Sequence, residues 1–342
     1  MVRAGNDAHR ALFAVHGLGV RLACDVAALW GTIDHLLDTF GVIELPSDFT
    51  TTSGHVRSYD EADVARHLSA SATRVPVRDD LLELYQDGER FWLVDDRWGI
   101  CELNLLKGSW RSWVLPHAHI DEFRVVENAV LWPLAQLLKR RGLELVPAVS
   151  IERDGFGVLL LSGFNLLPEL DALLRYAGFK LVGQRWTALR EDAGRVELLH
   201  VPGRIELMIL PRRGTLSMPR PGGWVDLHDD HGHTPSPQAF CSTACILEPG
   251  RRQTLKATSL RPGAALTTLR DHWPVVDLQP AGRASPLLTG LSRTTPTYKL
   301  ELSRDPHDLI TWLDDLQDQS RPHVTVTVTN PFKPVAARAL AG

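Results

Sequence analysis

The sequence predicts an α/β core over residues 126–342 with an N-terminal α+β domain over residues 1–125, and three stretches carry that prediction. Residues 149–189, VSIERDGFGVLLLSGFNLLPELDALLRYAGFKLVGQRWTAL, read in order as strand, loop, helix and second strand. The apolar run Gly157–Leu161 enters a turn at Gly163, a helix follows from about Pro168, and Gly178 closes it before Phe179–Val182. From Leu81 to Val114, four β-rich runs separated by Gly, Asp and Lys predict an antiparallel meander. Downstream, Ala244–Glu248 and Lys299–Leu302 are short apolar runs of the kind that form core strands.

The other elements follow in order. Residues 11–22 alternate as a strand or hairpin bent at Gly17 and Gly19, and Asp25 caps a helix whose apolar positions are Val26, Leu29, Ile33, Leu36 and Leu37. Asp60–Leu68 reads as a short helix. The meander runs are Leu81–Tyr85, Arg90–Val94, Gly99–Leu105 and Ser109–Leu115. Glu127–Arg141 has helical periodicity, ends in Lys-Arg-Arg and stops at Gly142, with Pro133 as a kink. Val196–His200 and Ile205–Leu210 flank Val-Pro-Gly-Arg and read as a hairpin, and 211–223 is a loop by composition. Asp305–Gln319 should be a helix, and His323–Thr329 alternates as a terminal edge strand.

A strand, Gly turn and helix in this order make the architecture of a phosphate-binding P-loop. Its chemistry needs a second Gly five residues after the first, then Lys as phosphate cation, then Ser or Thr as Mg²⁺ ligand. Here those positions hold Pro168, Glu169 and Leu170. A carboxylate about 4 Å from a phosphate charge costs roughly 1 kcal/mol in water and roughly 4 at a protein surface. Pro at the first helical position and Glu in the first turn instead stabilise the helix itself.

Asp154-Gly155, Val158-Leu159-Leu160-Leu161, Gly163, Leu173-Leu174, Ala177-Gly178-Phe179, Leu181-Val182 and Trp186 together resemble the core of the HPr serine kinase-like family, relatives of phosphoenolpyruvate carboxykinase in fold. Thr297–Leu302 with Asp305-Pro306 is similar to that family's closing strand and final helix, and Leu255–His272 to the segment before it. The resemblance covers roughly residues 127–319. It implies a core of HPr kinase/PEP carboxykinase type, with the family's paired acidic residues falling on Gln184 and Arg185 and a His on Pro147. The chain therefore reads as a degenerate member, a pseudokinase that needs no cofactor. The family's frequent setting in peptide or cell-surface biosynthesis implies a protein or peptide client. Phe164, Leu166, Arg185, Arg212, Arg213 and Arg220 are the candidate partner-binding residues, apolar anchors beside cations. Alternatively, Phe164 and Leu166 fill the vacated pocket. A rival reading is an atypical phosphotransferase using Arg185 or the 212–220 arginines on phosphate and the Asp226 and Asp230 carboxylates for metal.

Asp226–His233 gathers three histidines (His228, His231, His233) and three carboxylates, which are Zn²⁺ ligand types, but at no recognised spacing; it reads as a polar loop, with a metal-dependent enzyme as a third alternative. Cys241 and Cys245 are expected on one strand face, and all four cysteines as reduced thiols. Trp98, Trp110 and Trp113 in the meander and Trp30, Trp132 and Trp186 elsewhere should pack in the core or between domains, with an exposed subset able to anchor a partner. A net charge of −4 argues against nucleic acid as a general partner and leaves room for a local basic patch. The N-terminus lacks signal-peptide character and no run approaches a membrane span, so a cytoplasmic location with no membrane partner is expected.

Overall fold

The structure, a computed structural model, describes residues 9–16, 18–38, 51–58, 67–77, 82–116, 121–162, 166–201, 205–209, 220–225, 236–250, 253–272, 278 and 285–320. It is mixed α/β, built on two large sheets.

Alternating apolar residues build the first sheet. β1 (His9–Val15) and β2 (Leu18–Cys24) form a hairpin. Helix α1 (Ala27–Asp38) packs its buried Leu29 and Ile33 on the core before β3 (Thr51–Ser58) pairs parallel with β2. After β4 (Thr73–Val75), the expected meander is present as β5 (Glu83–Asp87), β6 (Arg90–Asp95), β7 (Gly99–Asn104) and β8 (Ser109–Val114). β8 returns to pair parallel with β3, so the order is β1-β2-β3-β8-β7-β6-β5-β4. Gly54 makes that pairing fit, since a Cβ there would lie 2.2 Å from the Trp110 ring opposite it. The expected helix at 60–68 lies almost wholly outside the described residues.

A helical segment then crosses to the second sheet: α2 (Glu122–Val126), a π-helical turn (Glu127–Leu131) and α3 (Trp132–Lys139). Asp121 caps its start through the backbone N–H of Phe123. The boundary expected near residue 125 falls inside this segment. One apolar cluster runs through it, from Phe13, Trp98 and Trp110 through Val130 and Leu134 to Leu145, Ala188 and Leu199.

The second sheet holds β9 (Leu143–Val146), β10 (Val149–Arg153), β11 (Phe156–Ser162), β12 (Lys180–Gly183), β13 (Thr187–Asp192), β14 (Arg195–His200), β17 (Gln238–Glu248), β18 (Lys256–Leu260) and β19 (Thr297–Glu301). β15 (Ile205–Ile209) and β16 (Arg220–Val225) pair separately. β17 is the spine: it begins antiparallel to β14 and continues parallel to both β11 and β19. Helix α4 (Leu167–Tyr176) connects β11 to β12. These two strands run in the same direction with β10 inserted between them, antiparallel to both. The remaining helices are α5 (Pro262–His272), α6 (Pro286–Thr294) and α7 (His307–Ser320). Arg153 on β10 ties the last helix down, donating to Asp314 and Gln317 and to the Ala177 carbonyl at the end of α4.

Three expectations need correction. β14 does not form a hairpin with the 205–210 run. It pairs with β13 through a turn whose Ala193 and Gly194 both have positive φ (49° and 77°), the hairpin geometry that matches strand twist. Residues 220–223, the end of the expected loop, belong to β16. Cys241 and Cys245 face opposite sides, because the register steps from Gly157↔Cys241 to Val158↔Thr243. The extra residue on β17 is a bulge that inverts the alternation. The expected strand at 323–329 lies outside the described residues.

Candidate functional site

The end of β11 and the start of α4 are the strand, turn and helix that the sequence reading compares with a phosphate-binding loop. Gly163 and Phe164 lie outside the described residues. Leu166 occupies the N-cap position without a side-chain cap and is buried, so its apolar side chain packs where a Ser or Asp would accept a backbone N–H. Pro168 is exposed at the first turn, where its missing N–H costs nothing. Leu170 is 0% exposed and packs with Leu166, Leu173 and Val158, so the position points into the core rather than towards a ligand. Glu169 is half-buried and its Oε2 has no hydrogen-bond partner. Burial pushes its carboxyl above the usual carboxylate range, partly offset by its own backbone N–H. The helix dipole that would draw a phosphate here faces a carboxylate instead.

Gln184 and Arg185 lie in the turn between β12 and β13. Gln184 is buried. Arg185 is drawn into the junction between the sheets, where its Nε donates to Glu127 Oε1 and its Nη2 to Oε2 at 3.0 Å. Trp186 Nε1 donates to the same Oε1 at 2.7 Å, and Arg124 Nη1 stands 3.7 Å from Oε2. The carboxylate of Glu127 is thus buried and held by charge-assisted and indole donors from two elements.

The π-turn explains why Glu127 can be there. Pro133 has no N–H to give the carbonyl four residues back, that of Ala129. Trp110 Nε1 (3.1 Å) and Ser112 Oγ (2.7 Å) of β8 donate to it instead. The same short turn therefore bonds the first sheet through Ala129 and the second through Glu127. His16, at φ 45° between β1 and β2, adds a third tie: its Nε2 donates to the His200 carbonyl at 2.8 Å, and burial lowers its pKa. Glu127 was the residue that sequence reasoning missed. The kink at Pro133 was its one visible signal.

Arg212, Arg213, Asp226, His228, Asp230, His231 and His233 lie outside the described residues, and of Arg220 only the backbone, in β16, is described. Among the described residues no group of three or more His, Cys, Asp or Glu is placed to hold a metal ion. The four cysteines are buried free thiols, and burial pushes Cys101 and Cys241 up to about 12, far from a reactive thiolate. Trp98, Trp110 and Trp113 are buried. No helix among the described residues is long and apolar enough to cross a membrane.

No family model and no curated protein sequence matches the chain. Among solved structures it is similar to the HPr(Ser) kinase/phosphatase from Coxiella burnetii, at 15% identity and a TM-score of 0.31, covering 52% of this chain and 97% of that one. At that score the likeness carries no argument about fold or function.

Proposed function

We propose that this chain is an HPr kinase-like protein that has lost ordinary nucleotide chemistry and works by binding a protein or peptide partner. The sequence resemblance over 127–319 supplies the family part of the reading. The observation that carries the loss of chemistry is Glu169, a half-buried carboxylate with an unpaired oxygen in the first turn of α4. A triphosphate there would need a cation and a Mg²⁺ ligand. The cation position is this carboxylate, the metal position is the buried Leu170, and Arg185 is committed to Glu127. A partner in a peptide or cell-surface biosynthetic route fits the family's setting.

Titration calorimetry with ATP and Mg²⁺ tests the reading. The expected result is no binding tighter than roughly 100 μM, about −5.5 kcal/mol on the affinity scale. Tighter binding overturns it in favour of a rearranged phosphotransferase site.

A further inference from the structure

The pairing registers divide the outer face of the first sheet into two unlike halves. Over β5–β8 it carries Tyr85, Trp92, Val94, Ile100 and Trp113, which close into an apolar cluster under Leu68, Ala72 and Leu115. Over β1, β2, β3 and β8 the same face carries Arg10 and Leu12, then Arg21, then His55 and Arg57, then Arg111. Arg10, Arg21, Arg57 and Arg111 are exposed. Of the carboxylates near these cations, Asp25 is already taken by His55 (2.9 Å) and Arg57 (3.8 Å), and Glu102 of β7 stands directly opposite Arg111. Arg10, Arg21 and Arg111 have no ion-pair partner among the described residues. In a chain of net charge −4, the β1–β2 end of this face is cationic, with Arg10 and Arg21 unclaimed by any carboxylate among the described residues.

The surface ends at an open edge. Among the described residues β1 has β2 as its sole ladder partner, which leaves the other edge of a seven-residue strand unpaired. Leu12, 38% exposed, stands on that edge strand opposite Arg21. From this geometry we infer that β1 docks an acidic peptide as an added strand, its carboxylates over Arg10 and Arg21 and an apolar side chain against Leu12. The inference rests on the partner-binding reading above and names the partner's chemistry. An unpaired strand edge offers both N–H and C=O groups, which a peptide backbone matches and a phosphodiester, lacking N–H donors, does not. Trp92 and Trp113 of this face are buried and Tyr85 is half-buried with its hydroxyl donating to Glu83, so among the described residues the face offers no exposed aromatic platform for bases. A second copy of β1 would bring Arg10 to the same cationic surface, and like charge at an edge discourages self-pairing.

Fluorescence anisotropy on the full chain tests this with a labelled peptide of alternating Glu and Val, its Gln-Val counterpart and a short oligothymidine. The expected result is binding of the Glu-Val peptide that weakens at least about tenfold in the Gln-Val peptide and in the Arg10→Glu/Arg21→Glu variant. The melting temperature of that variant should stay within about 1 °C of the parent, because exposed unpaired charges contribute little to folding. Amide exchange in β1 should slow when the Glu-Val peptide is present. Equal binding by the variant, no binding of the peptide, or tighter binding of oligothymidine overturns the inference. The loss of nucleotide chemistry in the reading above is tested separately by the ATP titration, so the two failures are distinguishable.

Discussion

At the junction between the sheets, the side chain of Arg185 is 19% exposed and bonded through two nitrogens to a carboxylate that is itself 6% exposed. On the outer face of the first sheet, Arg10, Arg21 and Arg111 are exposed and without ion-pair partners among the described residues. The same side chain is a structural tie in one region and an available cation in the other. What separates them is the neighbour, Glu127 on a π-turn in one case and strand backbone in the other. A guanidinium recruits an anion only where no internal carboxylate has claimed it, so residue type alone does not nominate a binding site.

The comparison is broken most severely by removing the tie. Arg185→Ala leaves Glu127 buried beside Arg124 and Trp186 without its bidentate partner. Breaking a buried pair from one side costs about 3 kcal/mol or more, and chemical denaturation should show a loss of that size. The sequence alone offers Arg185 as a cation for a partner or a phosphate; the burial of Glu127 makes it a structural tie instead.

A smaller effect sharpens the account of the helix N-terminus. Burial raises the Glu169 carboxyl, so its stabilising contribution is present when it is protonated, below its unfolded value of about 4.5, and is lost as pH rises through its folded value. Glu169→Gln should therefore raise the melting temperature at pH 7 by a few degrees at most and change it little at pH 4, as differential scanning calorimetry will show. A drop at pH 7 would mean that the carboxylate has a stabilising partner.

Much of the fold was legible in the residues. The meander strands, the β1–β2 hairpin, α1, α7 and the core strands at 244–248 and 299–302 stand where period and turn chemistry put them. Local signals failed where a longer-range fact decided. The Ala193-Gly194 turn took β14 into a hairpin with β13, a choice invisible from the Val-Pro-Gly-Arg that follows β14. One extra residue on β17 separated Cys241 from Cys245 across the sheet, and period-two reasoning has no means of sensing a bulge. The cationic half of the outer face was hidden for a related reason. Arg10, Arg21, Arg57 and Arg111 are spread over a hundred residues; the β1–β2 hairpin brings the first two together, and Arg57 and Arg111 join them only through the parallel pairings that place β3 between β2 and β8. For the helix N-terminus, the sequence named Glu169 and Leu170 as unlike a phosphate site, and the structure adds that Leu170 is buried and Glu169 half-buried. It could not reveal that Arg185 is spoken for, because Glu127 lies in a different element.

The central claim is that Arg185 belongs to Glu127 and not to a ligand. A double-mutant cycle of Glu127→Gln and Arg185→Gln, read by urea denaturation, measures this directly. The account predicts a favourable coupling of about 1.5 kcal/mol or more between the two side chains. A coupling indistinguishable from zero would contradict it and return Arg185 to the set of cations available for phosphate or partner.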